Sequence, residues 1–306
     1  MNLKPFFLIL LVACVTVQAQ VPEKRAYTYL EQMDEIMKSV PGYWKTSLED
    51  IETTAARVKK GTARLLCMSA GNRPVYGMFY GKPNELKRSA NLSSAMGAGN
   101  MKHYADKSAQ DYKPTLFLVG AVHGGELEGT AALMNLVTVL ETGKDLAGKE
   151  HPDICASAEK INFIIIPCAN PDGRARVPLP SMVGLDYESF RYLSQGTWVD
   201  GTLTDWPGCK TIHPILEAVE HLGSYFNDDG INMMHDFFFT NPAVETKTIL
   251  QTAENYAPDF TVLFHGGANG KPHLAGVGYL FEQEKEKIRA FQRFIKEEYA
   301  EENFSL

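Results

Sequence analysis

Three short apolar runs constrain this chain more than any other feature of its sequence. They are Thr115 to Val122 (TLFLVGAV), Ile161 to Pro167 (INFIIIP) and Asp259 to Phe264 (DFTVLF). Each has the length of a strand. A strand with one wet face alternates polar and apolar residues, whereas a near-continuous apolar run is expected where both faces are buried. Helical patterns stand between the runs. Glu126 to Glu141 repeats its apolar residues at helical spacing (Leu127, Ala131, Met134), and Pro242 to Tyr256 also reads as a helix. Strands alternating with helices predict an α/β fold with a largely parallel sheet.

Each run gives way to a polar motif. His123-Gly124-Gly125-Glu126 succeeds the first, Asn170-Pro171-Asp172-Gly173 the second and His265-Gly266-Gly267 the third. Open α/β sheets bind ligands beyond the carboxyl ends of their strands, so all three features are expected on one edge. His and Glu are zinc donors, and a catalytic zinc takes three protein ligands and keeps one position for water. Residues three apart at a helix start share a side, so His123 and Glu126 can reach one ion. The glycines allow a tight turn and a close approach. His265, at another strand end, supplies the third donor. His103, His151, His213, His221 and His273 stand in polar or loop contexts and receive no role.

The flanking sequence completes the plan. Residues 20–60 are charged, with Tyr29, Met33, Ile36 and Met37 at helical spacing, and read as an N-terminal helical segment. Arg64–Ser69 and Val75–Tyr80 read as a hairpin around Ala70-Gly-Asn-Arg-Pro74. Residues 88–113 read as a loop, 174–229 as irregular, and Glu282–Glu301 as a charged amphipathic helix. The main domain is placed at 61–306.

A chain of 306 residues, 44% hydrophobic, can bury one large core. Its net charge of −7, with no basic stripe, argues against a nucleic-acid partner. Residues 1–19 read as a signal peptide: Lys4, then an apolar stretch from Phe6 to Val17, then Val17-Gln18-Ala19 as the cleavage site. Export to the periplasm or the extracellular space is expected. The alternative is a lipoprotein, because Leu11-Val12-Ala13-Cys14 forms a lipobox with Cys14 as the lipid anchor. No run is long enough to predict a membrane span. Cys67, Cys155, Cys168 and Cys209 contain no CxxC pair, which argues against a cysteine zinc site. Export would permit a disulfide, with the pairing open.

Taken in order, the motifs resemble the M14 zinc carboxypeptidases. Ser69-Ala-Gly-Asn-Arg-Pro-Val-Tyr76 resembles the family's early hairpin, and His123-Gly-Gly-Glu126 its first zinc pair. Asn170-Pro-Asp-Gly173 resembles the turn one strand later. Glu245-Thr-Lys-Thr248 resembles the helix before the last ligand, and Pro258 to His265 the strand that delivers it. The resemblance spans about residues 60–270. It implies a mixed, mostly parallel sheet flanked by helices, one zinc held by His123, Glu126 and His265, and hydrolysis of peptide or amide substrates.

Two departures accompany it. The family's general-base glutamate lies on a strand well downstream of the third ligand, and only a charged helix comes after His265 here. The expectation is a domain incomplete at its C-terminus, with the base beyond Leu306; the alternative is a non-catalytic zinc-binding module. The family also grips a substrate carboxylate with an Asn-Arg pair, where Gly230-Ile-Asn-Met-Met-His-Asp-Phe237 places Met234-His235. A His cannot make the bidentate guanidinium contact. His235, Arg174 and Arg176 are the candidate substrate contacts. Asp172 is expected to order its turn, and Trp198 and Trp206 to form a pocket wall, a lid or loop packing.

Overall fold

The computed structural model describes residues 29–83, 85–237, 240–266 and 282–300. The expected leader at 1–19, Cys14 and Gly267 lie outside the described residues. Helices α1 (Tyr29–Ser39) and α2 (Leu48–Arg57) come first. A capping box starts α2: the Asp50 N–H donates to the Ser47 hydroxyl, and the Ser47 N–H donates to the Asp50 carboxylate. The hairpin β1 (Thr62–Met68) and β2 (Pro74–Tyr80) comes next. The loop after it holds α3 (Leu92–Gly97) before β3 (Thr115–Val119) leads into α4 (Leu127–Thr142). Gly143 ends α4 in the left-handed conformation, φ 82°. Helix α5 (Pro152–Ala158), strand β4 (Asn162–Ile166) and helix α6 (Pro171–Arg176) succeed it. Helix α7 (Tyr187–Ser194), strand β5 (Gly196–Trp198), the short α8 (Gly208–Thr211) and strand β6 (Val219–Leu222) form a small annex. Helix α9 (Val244–Tyr256), strand β7 (Phe260–Leu263) and helix α10 (Glu282–Ala300) complete the order.

Among the described residues the main sheet runs β1-β2-β4-β3-β7. The apolar runs form its parallel part, with β3 between β4 and β7. The hairpin joins antiparallel through β2 and β4, so the sheet is mixed. Alternate residues serve opposite faces. Phe117, Val119, Ile164 and Ile166 pack with Tyr256 of α9. Leu118, Phe163 and Ile165 pack with Leu133 and Val137 of α4 and Ala55 of α2. Full burial of a side chain of this size stabilises by about 1.5–3 kcal/mol, which explains why β3 and β4 have no wet face; the third run differs from its reading, because β7 lies at the edge of the described sheet and leaves Thr261 exposed. Helix α1 joins the same body, with Ile36 packed among Val177, Leu179 and Met182.

The first run stays buried to Val122, but β3 ends at Val119. Ala121 leaves the extended conformation with φ 45°. Pairing continues beyond the strands: the Gly120 N–H donates to the Ile166 carbonyl, the Ala169 N–H to Gly120 and the Asn170 N–H to Ala121. The loops after β3 and β4 therefore leave the sheet side by side.

Several segments differ from their reading in sequence. Asn170-Pro-Asp-Gly173 starts α6 instead of forming a free turn. The Asn170 side chain accepts the Gly173 N–H, and Pro171 takes the first helical position. Turn and helix-start signals coincide in such a tetrapeptide. Residues 174–229 hold the annex, whose short elements carry too few periods to show a pattern. The four cysteines among the described residues are free thiols; burial pushes Cys168 up to about 12 and Cys209 up to about 11.

A buried polar knot joins the motifs on the near side of the sheet. Asp172, with 0% exposure, accepts the Ser69 hydroxyl at 2.6 Å, the Gly71 N–H at 2.9 Å and the Asp228 N–H at 3.1 Å. Arg73 donates to Asp172 at 2.9 Å and to Asp228 at 2.7 Å. Glu245 of α9 accepts the Ala70 N–H and the Asn227 amide, each at 3.1 Å. The hairpin turn, α6, the 227–228 loop and α9 are thereby tied together. A Cβ on Gly71 would fall 2.0 Å from the Asp228 carboxylate and 2.1 Å from the Arg73 guanidinium, so a side chain there would displace this ion pair.

Candidate metal centre

His123, Glu126 and His265 converge at the carboxyl ends of β3 and β7. One ligand atom from each lies within 4.8 Å of the other two. The His123 Nδ1 is 2.8 Å from Glu126 Oε1, and the His265 Nδ1 is 2.8 Å from Glu126 Oε2. The carboxylate thus sits between two imidazoles. His123 and Glu126 are 3% and 4% exposed, while the His265 side chain is 35% exposed. The set offers two imidazole nitrogens and a carboxylate, the donors a zinc takes with bonds of about 2.0–2.2 Å.

Neighbouring residues fix the His123 ring. Its Nε2 donates to the Asn232 Oδ1 at 3.2 Å. The Asn232 amide is oriented in turn by its donation to the Cys209 carbonyl, also at 3.2 Å. This leaves His123 Nδ1 to face the cluster, as an outer hydrogen bond does for a metal-ligating histidine. Tyr225 stacks on the ring with centroids 4.1 Å apart. Trp206 meets it edge-on at 6.4 Å and meets Tyr225 at 5.6 Å.

The pairing sets the protonation tendencies. Burial alone would push the Glu126 carboxyl up, but the charge and hydrogen bond of His123, helped by His265, hold it below its ordinary value. The hydrogen bond to Glu126 raises His265, against the opposing effect of its burial.

The loop that carries His123 and Glu126 is packed hard against α6. The Gly124 N–H donates to the Ser224 carbonyl at 2.9 Å. A Cβ on Gly124 would lie 2.2 Å from the Arg174 backbone nitrogen and 2.3 Å from the Gly173 carbonyl carbon. Backbone cannot give way as a side chain can. Gly124→Ala is therefore expected to cost at least about 1–3 kcal/mol and to weaken zinc binding, read from the urea midpoint and a metal titration. Gly42→Ala, where a Cβ meets nothing within 4 Å, is expected to stay within about 0.5 kcal/mol of the parent.

The three expected substrate contacts fall in different places. Arg174 is buried, and its guanidinium donates to the Thr46 carbonyl at 2.9 Å and the Val177 carbonyl at 2.6 Å. Arg176 donates to Asp228 and to the Phe226 carbonyl. Both guanidinium groups are engaged in holding loops, and neither joins the cluster. His235 is exposed beside it, its ring 6.3 Å from Trp206. Asn232 and Tyr225 carry no motif signal of their own. Asn232 could have been suspected from its place two residues after Gly230 in the segment compared with the family.

Residues 52–180 match the peptidase M14 family model, described as zinc carboxypeptidase. Over those residues the chain resembles that family in its own sequence, through the hairpin, the His123–Glu126 pair and the Asn-Pro-Asp-Gly motif. The match covers less than half of the chain, and His265 lies beyond it. A comparison with curated proteins found no match. Among solved structures, a metallo-carboxypeptidase from Burkholderia cenocepacia is similar at TM-score 0.47 and 16% identity, over 79% of this chain and 48% of that one. Thrombin-activatable fibrinolysis inhibitor is similar at TM-score 0.49 and 12% identity, over 90% of this chain and 65% of that one. The chain thus spans about half the length of the bacterial enzyme.

Proposed function

We propose that this chain is a zinc-dependent hydrolase of peptide or amide bonds, of the carboxypeptidase type. The convergence of His123, Glu126 and His265 at one sheet edge carries the reading, and the family match over 52–180 supports it. Zinc, when bound, lowers the pKa of a water molecule and polarises a carbonyl. The chain's own part is positioning. Asn232 and Tyr225 set the His123 ring, Glu126 bridges to His265, and Trp206 meets the His123 ring edge-on.

The test is hydrolysis of a panel of N-acylated peptides and amides by the zinc-loaded chain. Cleavage that a chelator abolishes and zinc restores, and that Glu126→Ala removes, is the expected outcome. A chain that holds zinc and cleaves none of the panel would instead be a zinc-binding module without catalysis.

A further inference from the structure

Beside the cluster stands a cation with no anionic partner among the described residues. Lys210, in α8, holds its ammonium 4.0 Å from the centre of the Trp206 ring. The same indole meets the rings of His123 and His235, so one side chain separates the ammonium from the first metal donor. Among the described residues Lys210 forms no ion pair. Carboxylates near it in sequence or fold are engaged with backbone: Asp205 accepts the Gly208 N–H at 2.6 Å, and Asp236 accepts those of Phe237 and Ala243 at 2.7 and 2.8 Å. Although His235 is exposed as a residue, partial desolvation of its ring, then the fields of Lys210, His123 and His213, hold it below its ordinary pKa. His235 is thus biased toward the neutral ring, and Lys210 is the standing positive charge.

A cation–π contact draws an ammonium to the face of an indole ring. It positions the ammonium without neutralising it, and leaves its N–H donors for a ligand. We propose that Lys210, held by the face of Trp206, recognises a carboxylate on the ligand that occupies this metal centre. It is a specificity-determining residue supplied by α8, whereas His235 occupies the position of the arginine in the family's Asn-Arg pair. The inference rests on the metal-centre reading above. Its chemistry differs from that of a guanidinium. An ammonium is a point charge, while a guanidinium is a planar fork that imposes bidentate geometry. The subsite therefore selects for negative charge more than for the direction of the carboxylate.

The experiment is calorimetric titration of the full chain, with and without zinc, using N-acetylphenylalanine and its neutral C-terminal amide. The acid is expected to bind about tenfold more tightly than the amide or better, a difference of about 1.4 kcal/mol. Lys210→Met should erase that preference and Lys210→Arg should keep it, with denaturation midpoints and zinc content matching the parent. Lys210→Gln serves if the Met variant fails to fold. A preference that survives loss of the ammonium, equal binding of acid and amide, or binding of neither ligand overturns the proposal. Zinc content is read on the same samples. A chain that takes no zinc but still shows a Lys210-dependent preference for the acid sinks the hydrolase reading and leaves the anion subsite standing.

Discussion

The purified chain is expected to bind one zinc ion, and His265→Ala to weaken that binding by far more than the 10–100-fold typical of outer hydrogen-bond partners. The parent cluster has its three donors within 4.8 Å, and the variant leaves only the His123 and Glu126 pair. Zinc should also protect the fold: at 100 times its Kd a ligand adds about 2.7 kcal/mol, so the parent's Tm should rise with zinc and the variant's should not. The pH dependence has a definite sign. In the metal-free state the bond to Glu126 raises the His265 pKa, and a ligating histidine must give up that proton. Zinc affinity should therefore increase as pH rises through the raised value. The metal-free stability that comes from the raised His265 pKa runs the other way: it is present below the ordinary imidazole value while Glu126 stays ionised, and lost as pH rises through the folded pKa. Isothermal titration with zinc across pH 5–8, together with metal analysis of both proteins, checks the prediction. Full zinc content in His265→Ala would remove His265 from the site.

The second large effect lies away from the metal. Asp172→Ala is expected to destabilise the fold by about 3 kcal/mol, the lower end of the range for breaking a buried ion pair. That would lower Tm by roughly 5 °C in a chain of this size. The change removes the acceptor of the Ser69, Gly71, Arg73 and Asp228 bonds at once. Burial pushes the Asp172 carboxyl up, but these donors outweigh it and hold it below its ordinary value. A lowered folded pKa contributes stability above the unfolded value, and that stability is lost as pH falls through the folded one. The gap between parent and variant should accordingly be full at neutral pH and shrink in acid. Urea denaturation at pH 7 and at pH 3 measures it. An unchanged gap at both would assign the loss to packing instead of charge.

Legibility in the sequence depends on the length of the pattern. Strands β3, β4 and β7 and helices α4 and α9 are readable because apolar runs and helical periods repeat over enough residues to exclude other folds. Helix α5, with seven residues, and strands β5 and β6, with three and four, offer no such repeat. At the site, the convergence of His123, Glu126 and His265 is legible because His123 and His265 come just after apolar strand runs and Glu126 opens the helix after the first. The residues that orient them are not. Asn232 and Tyr225 act through contacts that exist only after the annex has folded against the sheet edge. Arg174 shows how contacts add what position does not. Its place after a motif suggests a ligand contact, whereas its burial and its bonds to Thr46 and Val177 give it a role in holding the loop.

The bridge from Glu126 to His265 spans 139 positions of sequence. An ion held by both would act as a cross-link as well as a reagent. It would bind the end of β7 to the start of the helix after its neighbour β3 and remove most of the freedom of the intervening polypeptide in the unfolded chain. For a covalent tie around a loop of this size, chain entropy alone gives about 5 kcal/mol. A reversible coordination clip would confer a share of that only while loaded, so the supply of metal would govern how long the molecule lasts as well as what it can do.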